Sequence, residues 1–505
     1  MILHQDFVKV AKKFSKKLAI IDRTRDSKVS YSKALIASLI LSKKFQKYEE
    51  QYIGVMIPTS AGCFLTILGL LMTGKVPVMI NYSTGAAENC EYAQNKIGFK
   101  TIITSQALLD KIGCPLVPGM ICIEDIMKEI TTINKLSAAL KSKLPATMIS
   151  NSFPKADMDD DVVILFTSGS EKDPKAVQLT HRNIGSNIES IRAFLELSEN
   201  DIMMSILPLF HVFGHNINFW LPLSIGMTAV TYANPLDYKT IPKIMKEEKI
   251  SVIAATPIFF SGYLRESTPG DFETCRIMIA GADKCPEPLR EGYMKKHKKV
   301  LLEGYGATET SPVISANIPD QNKPGSIGKI LPNIRVKITE INTGKELPRG
   351  QEGKILVKGD LVMKGYYDDI EETSLHIKDG WYDTGDMGIL DEDGYLWHKG
   401  RLKRFVKIGG EMVSLVKTED VLEKLLPAGV DCCVVEIPDP RKGARLIAAV
   451  TGKVNDKEMI NKMSKSLPSI AIPSQFILFD ELPKMGSGKM DFRTITEMVK
   501  ERFQK

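Results

Sequence analysis

Short, continuous apolar runs alternate with segments of helical periodicity from Ile53 to about Pro235. Ile53-Gly54-Val55-Met56-Ile57 and Asp161-Val162-Val163-Ile164-Leu165-Phe166 are typical. Runs of that length joined through helices predict strands buried on both faces of a sheet, so the chain is expected to be α/β. The pattern returns at Ser251-Val252-Ile253-Ala254-Ala255 and Arg276-Ile277-Met278-Ile279-Ala280. It therefore predicts a large N-terminal domain of two α/β layers extending past residue 300. After Gly325 the runs shorten and turn signals multiply, among them Asn342-Thr343-Gly344 and Asp391-Glu392-Asp393-Gly394, which predicts a small β subdomain. From about Lys403 strands and helices mix and the tail from Phe492 is helical, predicting an α+β C-terminal domain.

One segment between these elements reads differently. Residues 133–144 place Leu136, Ala139, Leu140 and Leu144 on one helical face, with Lys135, Lys141 and Lys143 around it. The expectation is a surface helix packed on the body, with an interfacial membrane contact as the alternative. The longest apolar runs, such as 64–72, are too short to span a bilayer, and the N-terminus lacks a basic region followed by an apolar stretch. A cytoplasmic protein is expected, with peripheral attachment at the inner membrane face as the variant of that expectation.

With 505 residues, about three folded units are expected. The 43% hydrophobic and 25% charged residues exclude a disordered or fibrous chain. Eight cysteines are scattered, and the adjacent pair Cys432-Cys433 has neither metal-ligand nor redox spacing, so buried thiols are expected. The net charge of +6 comes without a dense basic stripe interleaved with aromatics, so no nucleic-acid partner is expected.

Candidate chemistry begins where the apolar run ending at Phe166 meets Thr167-Ser168-Gly169-Ser170-Glu171-Lys172-Asp173-Pro174-Lys175. Phosphate oxygens need many short donors and nearby cations, which hydroxyls, unobstructed amides and lysines supply. The loop is not a Walker A loop, because Gly169 is not followed by Gly-Lys-Ser/Thr at the required spacing.

Residues 166–177 resemble the signature loop of the adenylate-forming superfamily of acyl-CoA synthetases, luciferases and peptide-synthetase adenylation domains. Further motifs follow in that family's order: Leu207-Pro208-Leu209-Phe210-His211, Gly281-Ala282-Asp283, Gly304-Tyr305-Gly306-Ala307-Thr308-Glu309, Tyr382-Asp383-Thr384-Gly385-Asp386, Gly400-Arg401-Leu402-Lys403 and Pro483-Lys484-Met485-Gly486-Ser487-Gly488-Lys489. The resemblance implies ATP and Mg²⁺ as cofactors. In it Thr167, Ser168, Gly169, Ser170 and Lys175 cradle phosphates, Gly281, Ala282 and Asp283 form the adenine-stacking turn, and Gly304, Tyr305 and Gly306 complete the nucleotide motif. Thr308 donates to the AMP phosphate and Glu309 holds the metal, a hard cation that suits a carboxylate bridging to phosphate oxygens. Asp386 accepts the ribose hydroxyls, as only an ionised acid does compactly, and Arg401 also contacts the ribose. His211 lies beside the substrate carboxylate, and Lys489 is the catalytic lysine of a mobile C-terminal domain, residues 403–505, that pivots at Lys403 against an adenylation domain, residues 1–402.

Two departures stand out. Glu171-Lys172 replaces the usual Thr-Gly or Gly-Gly, and Ala176 follows Lys175 where glycine is usual. Glu171, with 302–306 and 400–415, resembles the acyl carrier protein synthetase half of bacterial 2-acylglycerophosphoethanolamine acyltransferase. That implies a fatty acid as substrate and acyl carrier protein as acceptor, with coenzyme A as the alternative thiol. A weakened relative that only binds nucleotide or acyl chains is the alternative of another class. From Arg401 onward about 19 Lys and Arg stand against 14 Asp and Glu, a basic surplus that suits an acidic carrier protein.

Overall fold

The computed structural model describes residues 1–167, 174–408, 411–427, 429–439, 443–484 and 490–503. Two compact units emerge: Met1–Thr167 with Pro174–Arg335 and Val357–Tyr382, and Val336–Leu356 with Asp383–Lys505. The mixed α/β architecture, with a large N-terminal and a small C-terminal part, agrees with the expectation from apolar patterning.

The first unit is built on two sheets. A seven-stranded sheet runs in the order Gly365–Tyr366, Ala176–Thr180, Asp161–Phe166, Val76–Met79, Tyr52–Met56, Ile102–Thr104 and Met120–Cys122. A nine-stranded sheet carries Val252–Ala255, Ile277–Ala280 and Leu302–Gly306 as parallel neighbours, followed by antiparallel Val313–Ala316. The central strands are apolar throughout because helices cover both faces. Helix Ala61–Leu71 is apolar all round and buried on nearly every side, and Ser60 caps it by accepting from the Cys63 amide. Its Phe64 joins Ile20 of one sheet and Val55 and Val163 of the other in a single core.

Strands Asp161–Phe166 and Ala176–Thr180 pair antiparallel, with Phe166 opposite Ala176. The hydroxyl-rich loop is therefore the connection of a hairpin whose strands lie inside a sheet.

Helix Thr132–Lys143 forms with a capping box at Thr131 and Asn134. Its orientation differs from the expectation. It packs on helix Tyr31–Phe45 through the side that buries Ala138, while Leu136, Leu140 and Leu144 are exposed. Periodicity locates an apolar stripe but does not say which way the stripe faces.

The second unit holds a three-stranded sheet in which Cys432–Asp439 pairs antiparallel with Gly443–Val450, and the latter parallel with Phe476–Leu478. Side chains alternate across it: Cys432, Val434 and Leu446 join one core with Leu422 and Met463, and Cys433, Val435 and Ile447 another with Ile495 and Val499. The adjacent cysteines thus belong to opposite faces. All eight cysteines are free thiols, and only Cys114 is not buried. Among the described residues no helix is long and apolar enough to cross a membrane.

Candidate active site

The neck of the hydroxyl-rich hairpin is closed by two bonds. The Thr167 amide donates to the Lys175 carbonyl at 2.9 Å, and the Lys175 amide donates to the Thr167 hydroxyl at 3.0 Å. Ser168, Gly169 and Ser170 lie outside the described residues. The Lys175 ammonium is paired with the Glu372 carboxylate, stands 3.3 Å from His376 Nε2, and lies 4.8 Å from the centre of the Tyr366 ring. That pairing holds the Glu372 carboxyl below its ordinary range, with His376 adding to the effect. Glu372 and His376 are one turn apart on helix Ile370–His376, capped by Asp369. Pairing of Tyr366 with Val177 and of Gly365 with Gln178 brings this segment to the hairpin.

Tyr366 links the first cluster to the second. Its hydroxyl donates to Glu309 Oε1 at 3.0 Å, and the Met363 amide donates to the Glu309 carbonyl at 2.8 Å. Burial, reinforced by the Glu309 carboxylate, keeps the phenol protonated by raising it far above its ordinary range. Thr308 and Glu309 sit on a short 3₁₀ turn, Thr308–Thr310, that leaves strand Leu302–Gly306. Gly306 is required there: a Cβ would come 1.9 Å from the Pro312 carbonyl oxygen. Glu309 is half-buried and Tyr366 engages one of its oxygens, so the carboxylate keeps acceptor capacity for a hard cation. Among the described residues no cluster of three or more His, Cys, Asp or Glu could hold a metal by itself. A single carboxylate fits Mg²⁺, which keeps several waters and binds one or two carboxylates plus substrate phosphates.

The third cluster surrounds His211. Its Nδ1 accepts from the Phe213 amide at 3.3 Å. The next residues, Gly214–Trp220, form a π-helical segment, an irregularity frequent at functional sites. Within it Asn216 donates to the Ser311 carbonyl, and Asn218 Oδ1 accepts from the Leu207 amide at 2.8 Å. This ties 207–218 to the turn carrying Thr308 and Glu309. Gly281 faces the Phe213 ring, where an added Cβ would lie 3.1 Å from its edge and 3.6 Å from the Gly304 carbonyl oxygen. Ala282 adopts a left-handed conformation at φ 69°, a strained setting for alanine, and Asp283 is exposed. Thr167, Lys175, His211, Gly281, Gly304 and Glu309 are thus connected within one unit through Tyr366, Asn216 and Phe213.

Asp386 and Arg401 belong to the second unit. They are directly opposite on strands Trp381–Leu390 and Leu396–Arg401, with Arg401 Nε 3.6 Å from Asp386 Oδ1 and His398 Nε2 3.5 Å from the same oxygen. Lys403 is exposed on the adjoining turn Leu402–Arg404. Lys489 lies outside the described residues, and the flanking Lys484 and Met490 form an antiparallel bridge. Sequence reasoning missed Tyr366, Glu372, His376 and His398, none of which falls at a role-bearing position of the motifs.

The fold and the sequence family define an adenylate-forming enzyme. The chain belongs to the AMP-binding enzyme family, whose model matches residues 7–367, and the family's C-terminal domain matches residues 417–489. ATP-dependent acyl-adenylate formation is therefore its chemistry, with ATP and Mg²⁺ as cofactors. The chain is 33% identical to a long-chain-fatty-acid–CoA ligase of Bacillus subtilis (strain 168), over 68% of this chain and 63% of that one. It is 28% identical to 4-coumarate–CoA ligase 2 of Petroselinum crispum, over 95% and 90% of the two chains. The fold matches O-succinylbenzoate coenzyme A synthetase (MenE) of Bacillus subtilis in complex with ATP and magnesium ion, with a TM-score of 0.84 at 23% identity, covering 98% of this chain and 99% of that one.

Proposed function

We propose that the protein activates a long-chain fatty acid as its acyl-adenylate and transfers the acyl group to a phosphopantetheine thiol. The adenylation step of this reading is supported by the linked set Lys175, Tyr366 and Glu309, which holds a cation and a carboxylate acceptor beside the neck of the phosphate-type loop, and the fatty acid by similarity to a long-chain-fatty-acid–CoA ligase.

In the first step a carboxylate oxygen attacks the α-phosphorus of ATP and pyrophosphate leaves. Thr167, Lys175 and Thr308 neutralise and orient phosphate oxygens, and the Lys489 ammonium offsets charge at the attacked phosphorus. Glu309, oriented by Tyr366, would hold Mg²⁺, which supplies charge neutralisation on the phosphates. His211 orients the substrate carboxylate. Asp386 and Arg401 position the ribose. In the second step the thiol sulfur attacks the acyl carbonyl, the C–O bond to phosphate breaks, and AMP leaves. A pivot at Lys403 exchanges the two arrangements.

Acyl carrier protein is favoured as the acceptor by the motifs shared with carrier-protein synthetases and by the basic surplus after Arg401. Coenzyme A is the second reading, favoured by the names of the similar ligases. Incubation with ATP, Mg²⁺, palmitate and either holo-carrier protein or coenzyme A separates them. The expected product is acyl-carrier protein; product on coenzyme A alone would overturn the carrier assignment and leave the fatty acid assignment intact.

A further inference from the structure

We propose that helix Thr132–Lys143, with the turn that follows it, is a docking face for an anionic lipid bilayer. This stands independently of which acid the enzyme activates.

The helix is inverted relative to its surroundings. Ile133, Leu136 and Leu140 are 75%, 60% and 66% exposed, whereas Ala138, at 6%, is what the helix buries. At about 100° per residue Ile133, Leu136, Leu140 and Leu144 fall within a stripe about 80° wide, running roughly 16 Å along the helix. Met148, exposed on the next short helix, extends the apolar chain of residues. A globular fold gains by turning such side chains inward, and here it turns them outward on a well-formed, capped helix.

Charge selects the occupant. Residues 132–148 contain Lys135, Lys141 and Lys143 and no Asp or Glu. Lys143 borders the stripe about 60° from its centre, and Lys141 lies about 100° away on the other side, its ammonium 5.4 Å from the centre of the Phe153 ring. Lys12 reaches the last turn, donating to the Ser142 carbonyl at 2.9 Å. The nearest acid along the chain before the helix, Glu129, lies within 3.7 Å of Lys44 and 3.4 Å of Lys47. An apolar stripe between cations matches a plane where acyl chains lie beneath anionic headgroups. A second copy of the same face would instead set lysines against lysines.

Flotation of the full-length protein with phosphatidylglycerol–phosphatidylcholine vesicles, compared with phosphatidylcholine alone, tests this. Binding is expected to the anionic vesicles and to weaken with salt. Leu136→Ser with Leu140→Ser is expected to weaken it at least about tenfold, and Lys143→Gln by roughly fivefold, with thermal unfolding and adenylation in solution unchanged. Failure to float with anionic vesicles, or equal flotation of the leucine variant, would overturn the proposal. So would conversion of a wild-type dimer to a monomer by the leucine variant without effect on flotation.

Discussion

Tyr366 is the residue on which the geometry of the candidate site turns, because it touches both charged partners: its ring lies beneath the Lys175 ammonium and its hydroxyl bonds Glu309. Tyr366→Phe keeps the ring and removes the hydroxyl. The loss of one hydrogen bond costs about 1 kcal/mol of local order, so the fold is expected to survive. Half-saturation by Mg²⁺ in adenylation is expected to rise about three- to tenfold, since the carboxylate is no longer fixed. A magnesium titration of pyrophosphate exchange checks this, and an unchanged curve would separate Tyr366 from metal binding. At this scale the motif residues were legible because each motif is contiguous. Their supports were not: Glu372 is 197 positions from Lys175 and meets it only because Gly365–Tyr366 pairs with Ala176–Thr180.

Among the elements, helix Leu3–Lys13, helix His181–Phe194 and the π-helical segment each bury a histidine. Burial lowers His4 to about 3, His181 to about 4 and His215 to about 3, with His181 and the N-terminal ammonium adding to the first two shifts respectively. All three are neutral when folded, whereas unfolded histidines titrate near 6.5. Below about pH 6.5 the unfolded chain takes up protons that the folded one refuses, so stability is complete above that value and falls as pH drops towards 4. Between pH 7 and pH 5 each histidine is expected to remove about 1–2 kcal/mol. Urea midpoints at the two pH values, for wild type and His215→Leu, measure this; a shallower pH dependence in the variant is expected, and equal slopes would contradict it. Strands such as Tyr52–Met56 were legible because burial on both faces leaves an unbroken apolar run. Helix Thr132–Lys143 was legible as an element but not in its orientation, since the same periodicity serves a stripe facing the core and one facing out.

Across the whole molecule, the candidate groups are divided between two units: Lys175, His211 and Glu309 in the first, Asp386, Arg401 and Lys403 in the second. The sequence places Asp386 and Arg401 within residues 1–402, whereas they cluster with the second unit, because their strand pairing belongs to the part of the chain that begins at Asp383. Acyl-adenylate formation is the first step of the proposed reaction. Exchange of labelled pyrophosphate into ATP with palmitate present isolates that step without any thiol. Exchange that depends on palmitate and Mg²⁺ and disappears in Lys489→Ala is predicted; no exchange with any fatty acid tried would contradict the account.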